Sequence, residues 1–152
     1  MCNFIRLLSV AIAIGLLFAP RSVAAENAKS HRVAIQVDQN DSDVMNLALN
    51  NAQNVIEYFN ARGEDIDVEI VTYGPGLHML RADTSPVKDR IKWMLEQMFP
   101  AKIAFAACNI TKEGMEKREG HAIAILPGAT IVPSGVVRLM YLQEQGWSYV
   151  RP

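Results

Sequence analysis

"KIAFAACNITKEG", residues 102–114, decides how this chain folds. Its first seven residues are almost all apolar, without the polar alternation of a strand that has one wet face. A central parallel strand covered on both faces reads this way. Immediately after Cys108 the composition turns to Asn-Ile-Thr-Lys-Glu-Gly, a helix opening. The stretch is therefore a strand feeding a helix, the repeating unit of an α/β domain.

The flanking chain repeats the unit. "HRVAIQVD" (31–38) is dense in β-branched residues and predicts a first strand. "DSDVMNLALNNAQNVIEYFNARG" (41–63) predicts a long amphipathic helix with Val44, Leu47, Ala48, Ala52, Val55 and Phe59 on one stripe, Asp41 or Ser42 as cap and Gly63 beyond its end. "DVEIVTYG" (67–74) predicts a second strand closed by a tight turn at Gly74–Gly76. Ser85 is the expected cap of the next helix, with Pro86 in its first position, an inner stripe of Val87, Ile91, Met94, Leu95 and Met98, and Pro100 as its stop. Beyond the opening stretch, "HAIAIL" (121–126) reads equally as helix or strand. "ATIV" (129–132) predicts a fourth strand, "SGVVRLMYLQEQG" (134–146) the last helix and "WSYVRP" (147–152) a short final strand. This alternation predicts a parallel sheet with helices on both faces.

The N-terminus reads as an export signal. "MCNFIR" carries one positive charge, "LLSVAIAIGLLFA" is an apolar run too short for a membrane span, and "PRSVAA" offers small residues at Val23 and Ala25. Residues 1–25 are expected to be removed, leaving 26–152 as one domain in the periplasm, with no membrane association afterwards. Cleavage takes Arg6 and Arg21 and no acid, so fifteen basic against sixteen acidic residues become thirteen against sixteen. A mildly acidic chain with no basic run is not a nucleic-acid binder.

Export changes the meaning of the cysteines. Of the two, Cys2 leaves with the signal and Cys108 has no partner for an internal disulfide. In parallel α/β sheets ligands gather at the carboxyl ends of the strands, and Cys108 closes one. The other strand ends bring Asp38, then Tyr73 and Gly74, then Ser134 to the same edge, and His78 follows the Gly-Pro-Gly turn. Thr111 is the expected cap of the helix after Cys108, whose N-terminal dipole favours a thiolate. Lys112 would favour the thiolate and Glu113 oppose it. Cysteine is also among the most buried residue types and acts as a small hydrophobe. Composition and position leave both readings open.

Three stretches resemble the DsrE/DsrF-like family of sulfur-oxidation proteins, in its exported branch: "VTYGPGLHML" (71–80), "FAACNITKEG" (105–114) and "IVPSGVVRLMYLQEQGWSYVRP" (131–152). The similarity runs through the whole chain after the signal. It implies a three-layer α/β/α sandwich with a mainly parallel five-stranded sheet, assembled as trimers or hexamers. It also implies that Cys108 sits where some members carry sulfur as a persulfide, exchanging it with small thiols or with donor and acceptor proteins. On that reading the protein is a carrier more than a turnover enzyme. Asn109 and Thr111 would supply hydrogen bonds, with Tyr73, Gly74, His78, Asp38 and Ser134 around the mouth. The sequence departs from the family in having Asn109 where a glycine often stands, and Tyr73 where a histidine often precedes the turn. The alternative is a non-catalytic oligomeric binding module in which Cys108 only packs.

Other chemistries lack their residues. There is no CxxC pair, no P-loop and no arginine six residues after Cys108, and His31, His78 and His121 have no metal-ligand spacing. No cofactor or metal is expected. Asn46, Asn50 and Asn54 read as the wet face of the first helix. Asn51 interrupts the apolar stripe and is expected to bond a nearby backbone group, or else to face another subunit. Met140, Tyr141 and Trp147 are expected in the core, or at a subunit contact if exposed.

Overall fold

The computed structural model describes residues 30–98 and 102–152. The expected signal segment, residues 1–25, and Pro100 lie outside the described residues. In chain order the elements are β1 (Ser30–Val37), α1 (Ser42–Asn60), β2 (Asp65–Thr72), a 3-10 segment Gly74–Leu80, α2 (Lys88–Gln97), β3 (Lys102–Cys108), α3 (Asn109–Glu119), β4 (Ala129–Val132), α4 (Gly135–Glu144) and β5 (Ser148–Val150). The strands form one five-stranded sheet in the order β4-β3-β2-β1-β5, every ladder parallel. The α/β class and the five parallel strands expected from the sequence are present. β2 occupies the centre, and β3 lies one strand in from the edge.

The pleat sorts the strand residues between two unequal layers. Val33, Ile35 and Val37, with Ile66, Val68 and Ile70 and with Phe105 and Ala107, point into the larger core under α1, α2 and α3. Ala34, Val71 and Ala106 point the other way, where α4 alone covers them with Leu139 and Leu142. Because this second layer is one short helix, Ala104 of β3 remains exposed. An ion pair secures it: Arg138 of α4 donates to both carboxylate oxygens of the buried Glu69 on β2, at 2.6 Å each.

Several local expectations are corrected. The buried stripe of α1 is Met45, Ala48, Leu49, Ala52 and Ile56, and Leu47 is exposed. Asp41 caps the helix, its carboxylate accepting from the N–H groups of Asp43 and Val44. Asn51 is half-buried and makes no hydrogen bond among the described residues, against the expected backbone partner. Asn46 and Asn50 are not simply wet, since both accept from Arg90 of α2. Ser85 is not the cap of α2, which begins at Lys88. Its hydroxyl donates to the Met79 carbonyl and accepts from the Val87 N–H, fixing the turn before the helix. The Gly-Pro-Gly turn extends into the 3-10 segment, with Gly74 at φ +52. "HAIAIL" is neither helix nor regular strand. It is an extended connection that pairs with the chain around Arg81 through Ala82 N–H to Ala124 and Leu126 N–H to Leu80. Met140 and Tyr141 are more than half exposed and do not belong to the core, whereas Trp147 is partly buried against it.

Candidate functional site

β3 delivers Cys108 to the carboxyl edge of the sheet, and α3 starts one residue later. Cys108 is itself the N-cap of α3, with extended backbone (φ −68, ψ 117). Thr111 is therefore in the first turn of the helix and not its cap. The alternation along β3 turns Cys108 to the same face as Ala106, towards α4. A Cβ on Gly135, the first residue of α4, would lie 3.3 Å from that of Cys108 and 2.9 Å from that of Tyr73. Glycine at 135 lets the N-terminus of a second helix reach the thiol.

The sulfur consequently meets the open ends of two helices. The Thr111 hydroxyl and the backbone N–H groups of Gly135, Thr111 and Ile110 face it, and their dipoles favour the thiolate. The Ile110 N–H also donates to the Pro133 carbonyl, at 3.4 Å. Gly74 N–H donates to Thr111 Oγ at 2.9 Å, which leaves the hydroxyl hydrogen free to point at sulfur. Burial, at 4 % exposure, pushes the Cys108 thiol up. The converging donors favour the anion and outweigh burial, so the thiol lies below its ordinary value.

The charged neighbours expected at the thiol act elsewhere. Lys112 pairs with Glu116 at 2.6 Å, and Glu113 accepts from the Asn109 side chain at 2.7 Å. Asn109 thus spends its amide on the helix surface and not on the sulfur. Tyr73 lies beside Cys108 and Gly135; burial, then the Asp38 carboxylate, raises its phenol, which stays protonated near neutral pH. Asp38 is at the edge but engaged: Arg151 donates to it at 2.9 Å and Gln36 at 3.0 Å, while Tyr149 donates to Gln36 at 2.6 Å. Ser134 caps α4, its hydroxyl accepting from the Val137 N–H. His78 bonds Thr84 at 2.8 Å and shares with Gly74 and Thr111 the wall of a cleft of about 410 Å³. A roomier cleft of about 510 Å³ lies along α2 and shares no residue with the thiol's surroundings.

The structure therefore gathers Cys108, Thr111, Tyr73 and Gly74 at one point, keeps His78 on the adjoining cleft, and directs Asn109, Asp38 and Ser134 to other partners. Ile110 is the contributor missed in the sequence, whereas Gly135 falls at the same strand end as Ser134 and was not assigned a role at the thiol. The Gly after Pro133-Ser134 was a detectable signal, because a glycine opening a helix beside a strand end permits close approach. No group of three or more His, Cys, Asp or Glu residues is placed to hold a metal among the described residues.

Fold and site together define a parallel α/β domain with one sheltered thiol at the carboxyl edge of its sheet. Among solved structures it is similar to that of MTH1491, a protein of unknown function from Methanobacterium thermoautotrophicum. The two agree with a TM-score of 0.67 and 28% sequence identity over 80% of this chain and 99% of that one. No family model matches the sequence, and no curated protein does. Among the described residues no helix is long and apolar enough to cross a membrane.

Proposed function

We propose that this protein is a DsrE/DsrF-like sulfur carrier that takes a sulfane sulfur onto Cys108. The observation that carries the reading is the seat of Cys108 between the first residues of α3 and α4, where the Thr111 hydroxyl and nearby N–H groups lower its thiol. Such a setting favours a thiolate, and would favour the persulfide anion that follows it. In the acceptor step the Cys108 thiolate attacks a terminal sulfur of a polysulfide dianion. One S–S bond forms, the next one along the polysulfide breaks, and the electron pair departs on the shortened polysulfide. No other redox partner is needed. The resemblance of the three quoted stretches adds the periplasm as location, small thiols or relay proteins as partners, and a homo-oligomer as the working state. Val136, Val137, Met140 and Tyr141 on α4 supply exposed apolar surface for that assembly.

A second reading rests on the 4 % exposure of Cys108. A thiol that closed to solvent suits a structural role within a binding module. Polysulfide treatment of the folded protein separates the two. The carrier gains about 32 Da, one sulfur atom, released by reductant and absent in Cys108→Ser. A wild-type thiol that stays silent to polysulfide and alkylating reagent until denaturation sinks the carrier reading.

A further inference from the structure

The cleft beside Thr111 contains a cation with nothing to hold. Seven arginines fall among the described residues, and six are engaged. Arg32 donates to the Gln145 carbonyl, Arg62 to Glu64, Arg81 to Asp83 and Glu119, Arg90 to two asparagines, Arg138 to Glu69, and Arg151 to Asp38. Arg118 alone has no hydrogen bond, ion pair or ring contact among the described residues. It lines the 410 Å³ cleft, whose other walls carry no carboxylate.

Its direction is informative. A cation in the last turn of a helix ordinarily serves the C-terminal carbonyls. The Arg118 guanidinium instead lies back along α3, where its Nη1 would be 3.5 Å from a Cβ placed on Gly114. That level is three residues, about 5 Å of axial rise, from Thr111, whose hydroxyl faces the Cys108 sulfur. Gly114 strengthens the case. A glycine inside a helix costs about 1 kcal/mol against alanine, and here a Cβ would make only an ordinary contact. Packing does not call for glycine at 114. An open cleft floor does.

We infer that the cleft formed by Arg118, Gly114, His78 and Asn40 is an anion-recognition site. It takes the sulfonate-like or carboxylate group of a small sulfur-bearing molecule and holds it one helical turn from the Thr111–Cys108 pair. The arginine fork suits such planar or trigonal oxyanions, and the cleft volume suits a small molecule. This deepens the carrier reading by naming the charge class of its substrate, and it rests on that reading only for the use made of the bound group.

The test has two arms. In the first, the full chain carrying Cys108→Ser, which cannot react, is titrated with thiosulfate while backbone and arginine side-chain amide resonances are followed. Saturable shifts at Gly74, Thr111, Gly114 and the Arg118 Nε–H are expected. Adding Arg118→Gln should weaken binding about tenfold or more, while Gly114→Leu should block it by filling the cleft floor. Absence of shifts at these residues, or binding unchanged in Arg118→Gln, overturns the site. In the second arm the wild-type thiol is alkylated with iodoacetate and with neutral iodoacetamide. The rate ratio should favour the anion and fall about three- to tenfold in Arg118→Gln. An equal ratio in both proteins overturns the placement of the site beside the thiol. A thiol unreactive to both reagents refutes the carrier reading instead, and the first arm still decides the anion site.

Discussion

At the scale of single residues, the decisive contest is at one sulfur, where burial opposes ionisation and four donors promote it. Thr111 is the donor that mutation can remove while the three N–H groups facing the sulfur stay in place, at the cost of the Gly74 N–H bond to its hydroxyl. Thr111→Val should return the Cys108 thiol towards its ordinary value, near 8.5 in model peptides. Thiolate-dependent alkylation falls as pH drops through the folded-state midpoint, so wild type should retain its rate further into the neutral range than the variant does. A pH–rate profile with a neutral alkylating reagent checks this, with the variant about three- to tenfold slower at pH 7. Coincident profiles would show that the backbone N–H groups alone set the thiol. The thiol itself was legible in the sequence, as a lone cysteine after an apolar strand. Its donors were not. Gly135 comes from another element, and the role of Gly74 becomes visible only when its N–H is seen to orient Thr111.

At the scale of elements, two glycines set how closely neighbours approach. A Cβ on Gly76 would stand 2.2 Å from the Val37 carbonyl oxygen at the end of β1, against backbone that has no easy escape. At Gly135 the clash is with Tyr73 and Cys108 side chains at 2.9–3.3 Å. Gly135→Ala should cost about 1–3 kcal/mol and slow reaction at Cys108, while Gly76→Ala should cost more. Denaturant titration ranks them; the reverse order would mean that α4 is held more rigidly than the 3-10 segment. The order of strands and helices was readable because their periodicities differ and Gly, Pro and Asp mark the boundaries. Helix phase was harder to read. α1 carries apolar residues at 44, 45, 47, 48, 49, 52, 55, 56 and 59, an arc wide enough to hold two overlapping stripes. The sheet selects the one through Met45 and Ile56. On α4, Leu139 and Leu142 face the sheet and Met140 and Tyr141 face outward. Both pairs look alike in sequence, because composition marks a residue as apolar without saying which face of the helix meets the sheet.

At the scale of the whole molecule, the asymmetry of the two layers has consequences for assembly. Three helices bury one face of the sheet, whereas α4 covers the other and presents Val136, Val137, Met140 and Tyr141 outward. If this surface joins subunits, Met140→Glu should shift the protein to smaller species in light scattering at micromolar concentration while leaving the circular dichroism spectrum intact. A monomeric wild type would remove the proposal. The pairing pattern also dictates a timetable. β1, the first strand, lies between β2 and β5, with Val33 opposite Ser148 and Ile35 opposite Val150. One side of β1 therefore stays bare until β5 pairs with it, and the clamp from Tyr149 and Arg151 onto Gln36 and Asp38 closes only then. Closing that flank joins residues 113 positions apart in the sequence, a non-local pairing of the kind that slows folding and leaves an open strand edge exposed in the meantime.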